Sequence, residues 1–416
     1  MMGESGSFWE QVQDRNDFLQ KTFDLVGKSD ADYSMLSLNL DNYSALECVF
    51  GRQMTGKLVC AVSTAISSYI GRSGFWTSIG NERFYACLLA EKVIPGKLSG
   101  LISNNMMMLK VKSFLCYHMG YAKIGNHREG IFLAMNQADV ARKQMQNHFS
   151  ANAVFFSTAM TENLILEQQL LAGIKEALIK KEFTAFFQPI YDTQKKVCAM
   201  EALGRWRRNN IFVMPDTFVP IMEKYGLIQK LDFLVLEKAL FFLQTALQKH
   251  KKAVPVSVNI SRNYLSDRSL AERICQTVDR YGISHHLIKF EITETAAGND
   301  YSDIVKLVMQ LQQKEFAVIL DDCGSGYATP AAVIDTHFDM VKIDRAFAQS
   351  IISDRYSSIM LRHMLAAFRE TGIPTIVEGV ENAEICECLC AMECQYMQGF
   401  YFSMPLAQED AEQLLN

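Results

Sequence analysis

The 416-residue sequence predicts an α/β protein: a (β/α)8 barrel of the TIM type over residues 161–416, preceded by a smaller α/β unit over 1–160. Three observations predict it. Short apolar runs alternate with stretches of helical length through the C-terminal half. Each run closes on a polar or acidic residue, which is where an α/β barrel keeps its chemistry. The chain is also too long for one ordinary hydrophobic core.

The runs, in order, are VPVSVNIS ending near Asn259, LIKFEITE with Glu291, FAVILDD closing on Asp321 and Asp322, MVKID with Lys342, PTIVEG with Glu378, and YMQGFYF with Gln398. Upstream, FTAFFQPI and CAMEALGRW supply two more strands and complete the eight of a barrel. Amphipathic segments at 264–281, 301–314 and 355–371 are long enough to carry the crossovers that parallel strands require. In the first ~160 residues, YSMLSLNLD and RFYACLLA read as strands and GKLVCAVSTAISSYI as a helix. From about Ala159 to Lys181, apolar residues at helical spacing predict a helix connecting the two units.

Composition narrows the function. Apolar residues at 49% and charged residues at 21% allow a large core and exclude a disordered chain. A net charge of -5 provides no general basic field, which argues against DNA and other unspecific polyanion partners; a phosphate ligand must be held by local groups. No basic segment followed by an apolar one opens the sequence, and no run reaches the ~18 apolar residues of a membrane span, so the expected location is the cytoplasm. Eleven scattered cysteines do not form a disulfide framework and read as reduced thiols. Cys386, Cys388, Cys390 and Cys394 invite a zinc reading. Three of them fall at i, i+4 and i+8 of a predicted helix, however, and would share one packed face.

At the strand ends, Glu201, Asn259, Glu291, Asp321, Asp322 and Glu378 converge on one rim, five carboxylates and an amide. So many anions repel one another in a partly closed pocket unless cations neutralise them. Oxygen donors favour Mg²⁺ or Mn²⁺, and the adjacent Asp321 and Asp322 can serve two ions at once. Two ions ~4 Å apart can activate water and stabilise a phosphoryl group during in-line displacement. Lys342 adds a positive donor. Each carboxylate alone reads better as a surface group at a strand end; the consistent placement of the set favours a site. CGSGYAT after Asp322 is a glycine-rich loop able to move.

Residues from about 165 to 415 resemble the EAL phosphodiesterases. The resemblance rests on Glu201-Ala202-Leu203 continued by Gly204-Arg205-Trp206, on the preceding Gln188-Pro189-Ile190, and on VNIS, EITE, DDCGSGY, VKID, EGVE and QGFYFSMP in the family's order. It implies hydrolysis of cyclic di-GMP to linear pGpG. It further implies one metal on Glu201, Asn259, Glu291 and Asp321, and another on Asp321, Asp322 and Glu378. Lys342 would position or polarise the attacking water, and Gln398 would support the second metal's water shell. Gln188, Leu203, Arg205 and Gln398 would line the substrate. Glu294 would brace the loop after Asp322, and Glu381 would order the loop bearing Glu378, as outer groups of metal sites do.

Plainer readings stand beside these: Arg205 as a surface ion-pair partner, Gln398 as a strand-capping amide, Glu381 as an acid at a helix N-terminus. Cys323, Ser325 and Pro330 depart from the family's pattern without removing a ligand. The resemblance also implies a homodimer through the barrel. A receptor that binds cyclic di-GMP without cleaving it, and an enolase-type acidic barrel, are the alternatives.

More faintly, residues of about 30–157 resemble a GGDEF domain, the diguanylate cyclase module. The motif stands as Gly80-Asn81-Glu82-Arg83-Phe84, with arginine where the family places an acidic metal ligand. Asn39 replaces a second carboxylate, Lys57 a third acid, and Gly71-Arg72-Ser73-Gly74-Phe75 keeps the arginine of a product-inhibition site but not its aspartate. The resemblance implies a unit without cyclase activity that still binds a nucleotide or controls dimerisation; a simple spacer is the other reading.

Overall fold

The computed structural model describes residues 14–41, 43–108, 116–125, 128–144, 153–264, 267–293, 301–324 and 336–415. Glu294, Ser325 and Pro330 lie outside them. The chain divides between Leu166 and Glu167 into two compact units, inside the helix Thr158–Lys180.

The first unit is built on five strands: β1 (Tyr33–Leu40), β2 (Phe75–Ile79), β3 (Arg83–Leu89), β4 (Tyr117–Lys123) and β5 (Ala153–Phe155). Their order is β2-β3-β1-β4-β5, with β1 central and antiparallel to both neighbours. Leu36, Leu38 and Leu40 turn to one face, where the helices Tyr43–Ile70 and Pro95–Met108 contribute Val62, Ile66, Leu98 and Ile102. Tyr33 and Met35 turn to the other face and meet Phe18, Leu19, Ile131 and Met135. The period of two therefore buries both sides of β1 between helices. The stretch Gly80–Phe84 spans the turn of the β2–β3 hairpin and the start of β3, and Gly80 adopts φ +67 in the turn.

The second unit contains β6 (Phe183–Asp192), β7 (Val197–Arg208), β8 (Ile211–Val213), β9 (Val256–Asn259), β10 (Ile288–Thr293), β11 (Ala317–Cys323), β12 (Met340–Ile343), β13 (Thr375–Val377) and β14 (Tyr396–Met397). Eight of them close a barrel in the order β6-β14-β13-β12-β11-β10-β9-β7, with β7 returning to β6 and β8 added as a short flap on β7. The TIM-type barrel predicted from sequence is present, with one difference. β6 runs antiparallel to both of its neighbours. Only residues 193–196 separate β6 from β7; so short a link makes a hairpin, because a parallel neighbour would need a crossover.

Outward-facing residues of the strands pack under the helices: Phe187 of β6 stacks on Phe242 at 4.3 Å, and Trp206 of β7 meets Phe218 of the helix Pro215–Lys224 edge-on at 5.9 Å. No helix among the described residues is long and apolar enough to cross a membrane. The predicted helix carrying the cysteines ends early, at Ala391. Cys394 thus leaves the shared face and donates its thiol to the Tyr396 carbonyl at 3.1 Å, while Cys390 is exposed rather than packed.

Candidate active site

The barrel interior explains which residues meet. Ile190, Ile319, Met340 and Ile376, with Ala199 and Tyr396, form an apolar layer across the interior. Two residues further toward the carboxyl end on each parallel strand, the same face presents Glu201, Asp321, Lys342, Glu378 and Gln398. Ser257 leads likewise to Asn259, and Lys289 to Glu291. Because β6 is reversed, its contribution to this layer, Gln188, precedes Ile190 instead of following it.

Lys342 is the centre of the layer. Its Nζ lies 2.5 Å from Glu378 Oε1, 3.0 Å from Glu291 Oε2, 3.1 Å from Glu201 Oε2 and 3.5 Å from Asp321 Oδ1. Gln398 Nε2 donates to Glu201 Oε2 at 2.8 Å, and Asn259 Nδ2 to Glu201 Oε1 at 3.2 Å. Burial alone would raise the Glu201 carboxyl; Lys342 and these two amides reverse the effect and hold it below the usual range. Burial, reinforced by Glu201 and Asp321, pushes Glu291 well up. Burial likewise raises Asp321, and brings Glu378 up to about 8 and Asp322 up to about 6, the last two with Asp321 as an unfavourable neighbour. Lys342 is held firmly charged, since its four carboxylates outweigh the burial that would neutralise it.

Adjacent residues of a regular strand face opposite ways, so Asp321 and Asp322 should not share a site. A register shift between Leu320 and Cys323 and the left-handed backbone of Asp322, φ +56, bring them onto one side. An oxygen from each, with one from Glu378, then falls within 4.8 Å of the others. Gly379 follows at φ +72, where a Cβ would meet the Arg345 side chain at 2.5 Å. The turn after Glu378 therefore depends on glycine.

Above the layer opens a cleft of about 280 Å³ whose lining includes Gln188, Glu201, Leu203, Asn259, Asp321, Lys342, Glu378, Glu381 and Gln398. A second cleft of about 490 Å³ shares Leu203, Asn259 and Arg345 with it and carries Arg205. Arg205 donates to the Gly204 carbonyl at 2.9 Å and lies over the Phe186 ring. Glu291 is buried beneath Lys342 and does not line either cleft. Glu381 accepts from Gln349 at 2.8 Å, and Gln188 donates to the Ser403 carbonyl at 3.3 Å. Besides two glycines, two side chains lining the first cleft were missed from sequence. Arg345 follows VKID directly, and Phe400 sits inside QGFYF, 59% exposed at the rim. A cation and an aromatic flanking known strand ends were the available signals.

The donor set suits hard divalent cations. Every candidate ligand atom is oxygen; Glu291 Oε1 and Gln398 Oε1 are buried acceptors without a hydrogen-bond donor among the described residues, and Asp321 Oδ1 has only the Lys342 ammonium at 3.5 Å.

The sequence profile of the EAL domain matches residues 172–405, more than half of the chain. The chain belongs to the EAL domain family. It is 29% identical over 289 residues to biofilm architecture maintenance protein MbaA of Vibrio cholerae, a match spanning 69% of this chain and 36% of that protein. It is 24% identical over 394 residues to cyclic di-GMP phosphodiesterase NbdA of Pseudomonas aeruginosa, spanning 92% of this chain and 50% of that one. The chain thus spans half or less of the length of these curated relatives. The solved PaMucR phosphodiesterase in complex with c-di-GMP superposes on this EAL chain with a TM-score of 0.56 at 25% identity, over 58% of this chain and 99% of that one. A Vibrio cholerae LapD structure comprising S helix, GGDEF and EAL parts matches over 93% of both chains with a TM-score of 0.54; at 16% identity this is a likeness of fold alone.

Proposed function

We propose that the barrel is a phosphodiesterase hydrolysing cyclic di-GMP to linear pGpG with two divalent cations, Mg²⁺ or Mn²⁺. The observation that carries this reading is the ring of carboxylates that four strands (β7, β10, β11 and β13) direct onto Lys342 at one barrel mouth, with Asn259 of β9 joined to it through Glu201. Glu201, Asn259, Glu291 and Asp321 would hold one ion, and Asp321, Asp322 and Glu378 the other; bound there, the ions supply an activated water and offset charge on the phosphoryl group.

The chain's own groups do the rest. Gln398 turns Glu201 inward through Nε2 and keeps Oε1 available to accept from water. Lys342, whose Nζ reaches the first cleft from the centre of the layer, would donate to the oxygen that attacks phosphorus. Arg205 and Gln188 hold phosphate and sugar oxygens, Leu203 covers the reacting edge, and the Phe400 ring offers a stacking face to a guanine base. Glu381, tied to Gln349, orders the turn after Glu378.

Linear product measured with Mg²⁺ or Mn²⁺, with Glu201→Ala as control, tests the reading. Folded, metal-loaded protein that yields no product would overturn it. One observation favours a second reading, a non-catalytic receptor: Lys342 already contacts four carboxylates and partly satisfies the ring without ions. Calorimetric binding of cyclic di-GMP without turnover would select that reading.

We further propose that residues 1–160 form a degenerate GGDEF-like regulatory unit, separate from the barrel of 161–416. In support, Asn39 of β1 stands opposite Arg83 of β3, so the motif's turn offers an amide and a guanidinium where cation ligands are needed. Nucleotide binding by this unit, homodimerisation through the barrel and a cytoplasmic setting belong to the same reading.

A further inference from the structure

We propose a further metal site, apart from the barrel mouth, for a transition metal such as Zn²⁺, on the outer surface of the barrel, formed by Cys275, Asp279 and His285. Cys275 and Asp279 are four residues apart on the helix Leu270–Tyr281 and so share one face. The chain then returns through the short turn His285–Leu287 into β10 and brings the imidazole up to them. His285 Nε2 lies 2.8 Å from Asp279 Oδ1, and Cys275 Sγ lies 3.5 Å from Asp279 Oδ2. One ligand atom from each of the three falls within 4.8 Å of the other two.

The imidazole is held as a ligand would be. Its Nδ1 is 2.6 Å from the Lys314 carbonyl, and its ring lies flat on Phe316 with centroids 4.3 Å apart. A carbonyl only accepts, so Nδ1 carries the hydrogen. In the neutral ring, Nε2 then turns a lone pair toward a carboxylate oxygen, and two acceptors face each other unless a cation or a second ring hydrogen stands between them. Histidines that bind metals commonly donate their other nitrogen to a backbone carbonyl in this way.

Thiolate, imidazole and carboxylate together select a borderline-soft ion, and three protein ligands leave a fourth tetrahedral position for water. Zn–S near 2.3 Å and Zn–N near 2.0–2.1 Å place tetrahedral ligands rather more than 3 Å apart, so Asp279 must withdraw by a few tenths of an ångström. Its side chain is 59% exposed and has room to do so. The nearby cation, Lys314, is paired to Glu272 at 2.7 Å. His285 precedes β10 and Glu291 lies toward its carboxyl end, so the site stands at the end of the strand away from the catalytic layer, where it would pin the crossover helix to the barrel.

The test is titration of the reduced, chelator-treated full chain with Co²⁺. A thiolate-to-cobalt charge-transfer band in the near ultraviolet should saturate at one equivalent and vanish on adding Zn²⁺. The oxygen-only catalytic layer cannot produce that band. Cys275→Ser should abolish it, whereas Cys116→Ser, which alters a separate Asp41, Cys116 and His118 group, should leave it intact. His285→Gln, shown by circular dichroism to be folded, should weaken cobalt binding at least about tenfold. Absence of the band from the wild-type chain, its persistence in Cys275→Ser, or unchanged affinity in His285→Gln would each overturn the proposal and leave His285 as a hydrogen-bonded bridge between Asp279 and the Lys314 carbonyl.

Discussion

Nζ of Lys342 lies 3.0 Å from Oε2 of Glu291, and the two side chains are 1% and 0% exposed. A buried charge without its partner is far more costly than the pair. Lys342→Met should therefore destabilise the metal-free protein by about 3–5 kcal/mol at neutral pH, less in acid where the carboxylates take up protons. Under the proposed chemistry it should also lower hydrolysis at least about a hundredfold. Lys342→Arg should not restore the rate, because a planar guanidinium cannot occupy the point between four carboxylates. Urea unfolding and initial rates measure both effects.

Metal removal separates structure from chemistry. With ions at a hundred times their dissociation constant, each bound site should add about 2.7 kcal/mol to unfolding. We expect Mg²⁺ or Mn²⁺ to raise wild-type stability and chelator to abolish hydrolysis, with Asp321→Asn losing both responses because Asp321 is shared by the two proposed sites. A wild-type melting temperature indifferent to both ions would contradict the assignment.

Much of this candidate site was legible because barrel strands obey a period of two: an apolar residue such as Ile319, Met340 or Ile376 points inward, and the next inward residue is one of the polar groups of the mouth. What could not be read depends on departures from that period. Nothing in FAVILDDC announces the register shift and left-handed Asp322 that align two neighbouring aspartates. The reversed β6 was readable, since four residues cannot form a crossover, yet counting eight strands concealed it. That Lys342 sits among four carboxylates, rather than beside them, is a tertiary fact with no local signature.

Beside the second cleft, Asp232 accepts from the Tyr264 hydroxyl and from the Ser261 N–H at 3.0 Å, with Glu223 nearby. Burial pushes its carboxyl up to about 7, from an ordinary value near 3.8. The native state therefore holds one proton more than the unfolded chain between those values. This group's contribution to stability is complete below about pH 4 and is lost as the pH rises through about 7. Asp232→Asn, which keeps the acceptor and removes the titration, should flatten the fall of unfolding free energy across that window. An unchanged slope would refute this role for Asp232.

Gly399 follows Gln398 where the chain crosses the Val380 backbone, and a Cβ there would stand 2.1 Å from the Val380 carbonyl oxygen. Gly399→Ala must displace one segment or the other, at about 1–3 kcal/mol for the overpacking. Gln398 loses its line to Glu201 in the process. Thermal melting should show the loss of stability. Under the proposed function, the rate should fall further in Gly399→Ala than in an equally destabilised variant such as Leu415→Ala, whose side chain is buried in the barrel core.

In the first unit, Asn39 and Arg83 are register partners on β1 and β3, at the hairpin that bears the GGDEF-like motif. Asn39 Nδ2 is spent on the Leu40 carbonyl and on Asp41 Oδ1, and Arg83 Nε is buried without a hydrogen-bond partner among the described residues. A cation entering between them would meet an amide already engaged and a fixed positive charge, so binding of a metal-bound triphosphate in the cyclase manner is disfavoured on both strands. The full chain carrying Glu201→Ala, which prevents the barrel from consuming any product, should make no cyclic di-GMP from GTP with Mg²⁺ or Mn²⁺. Chromatographic detection of the cyclic dinucleotide would show that the hairpin retains cyclase chemistry despite Arg83.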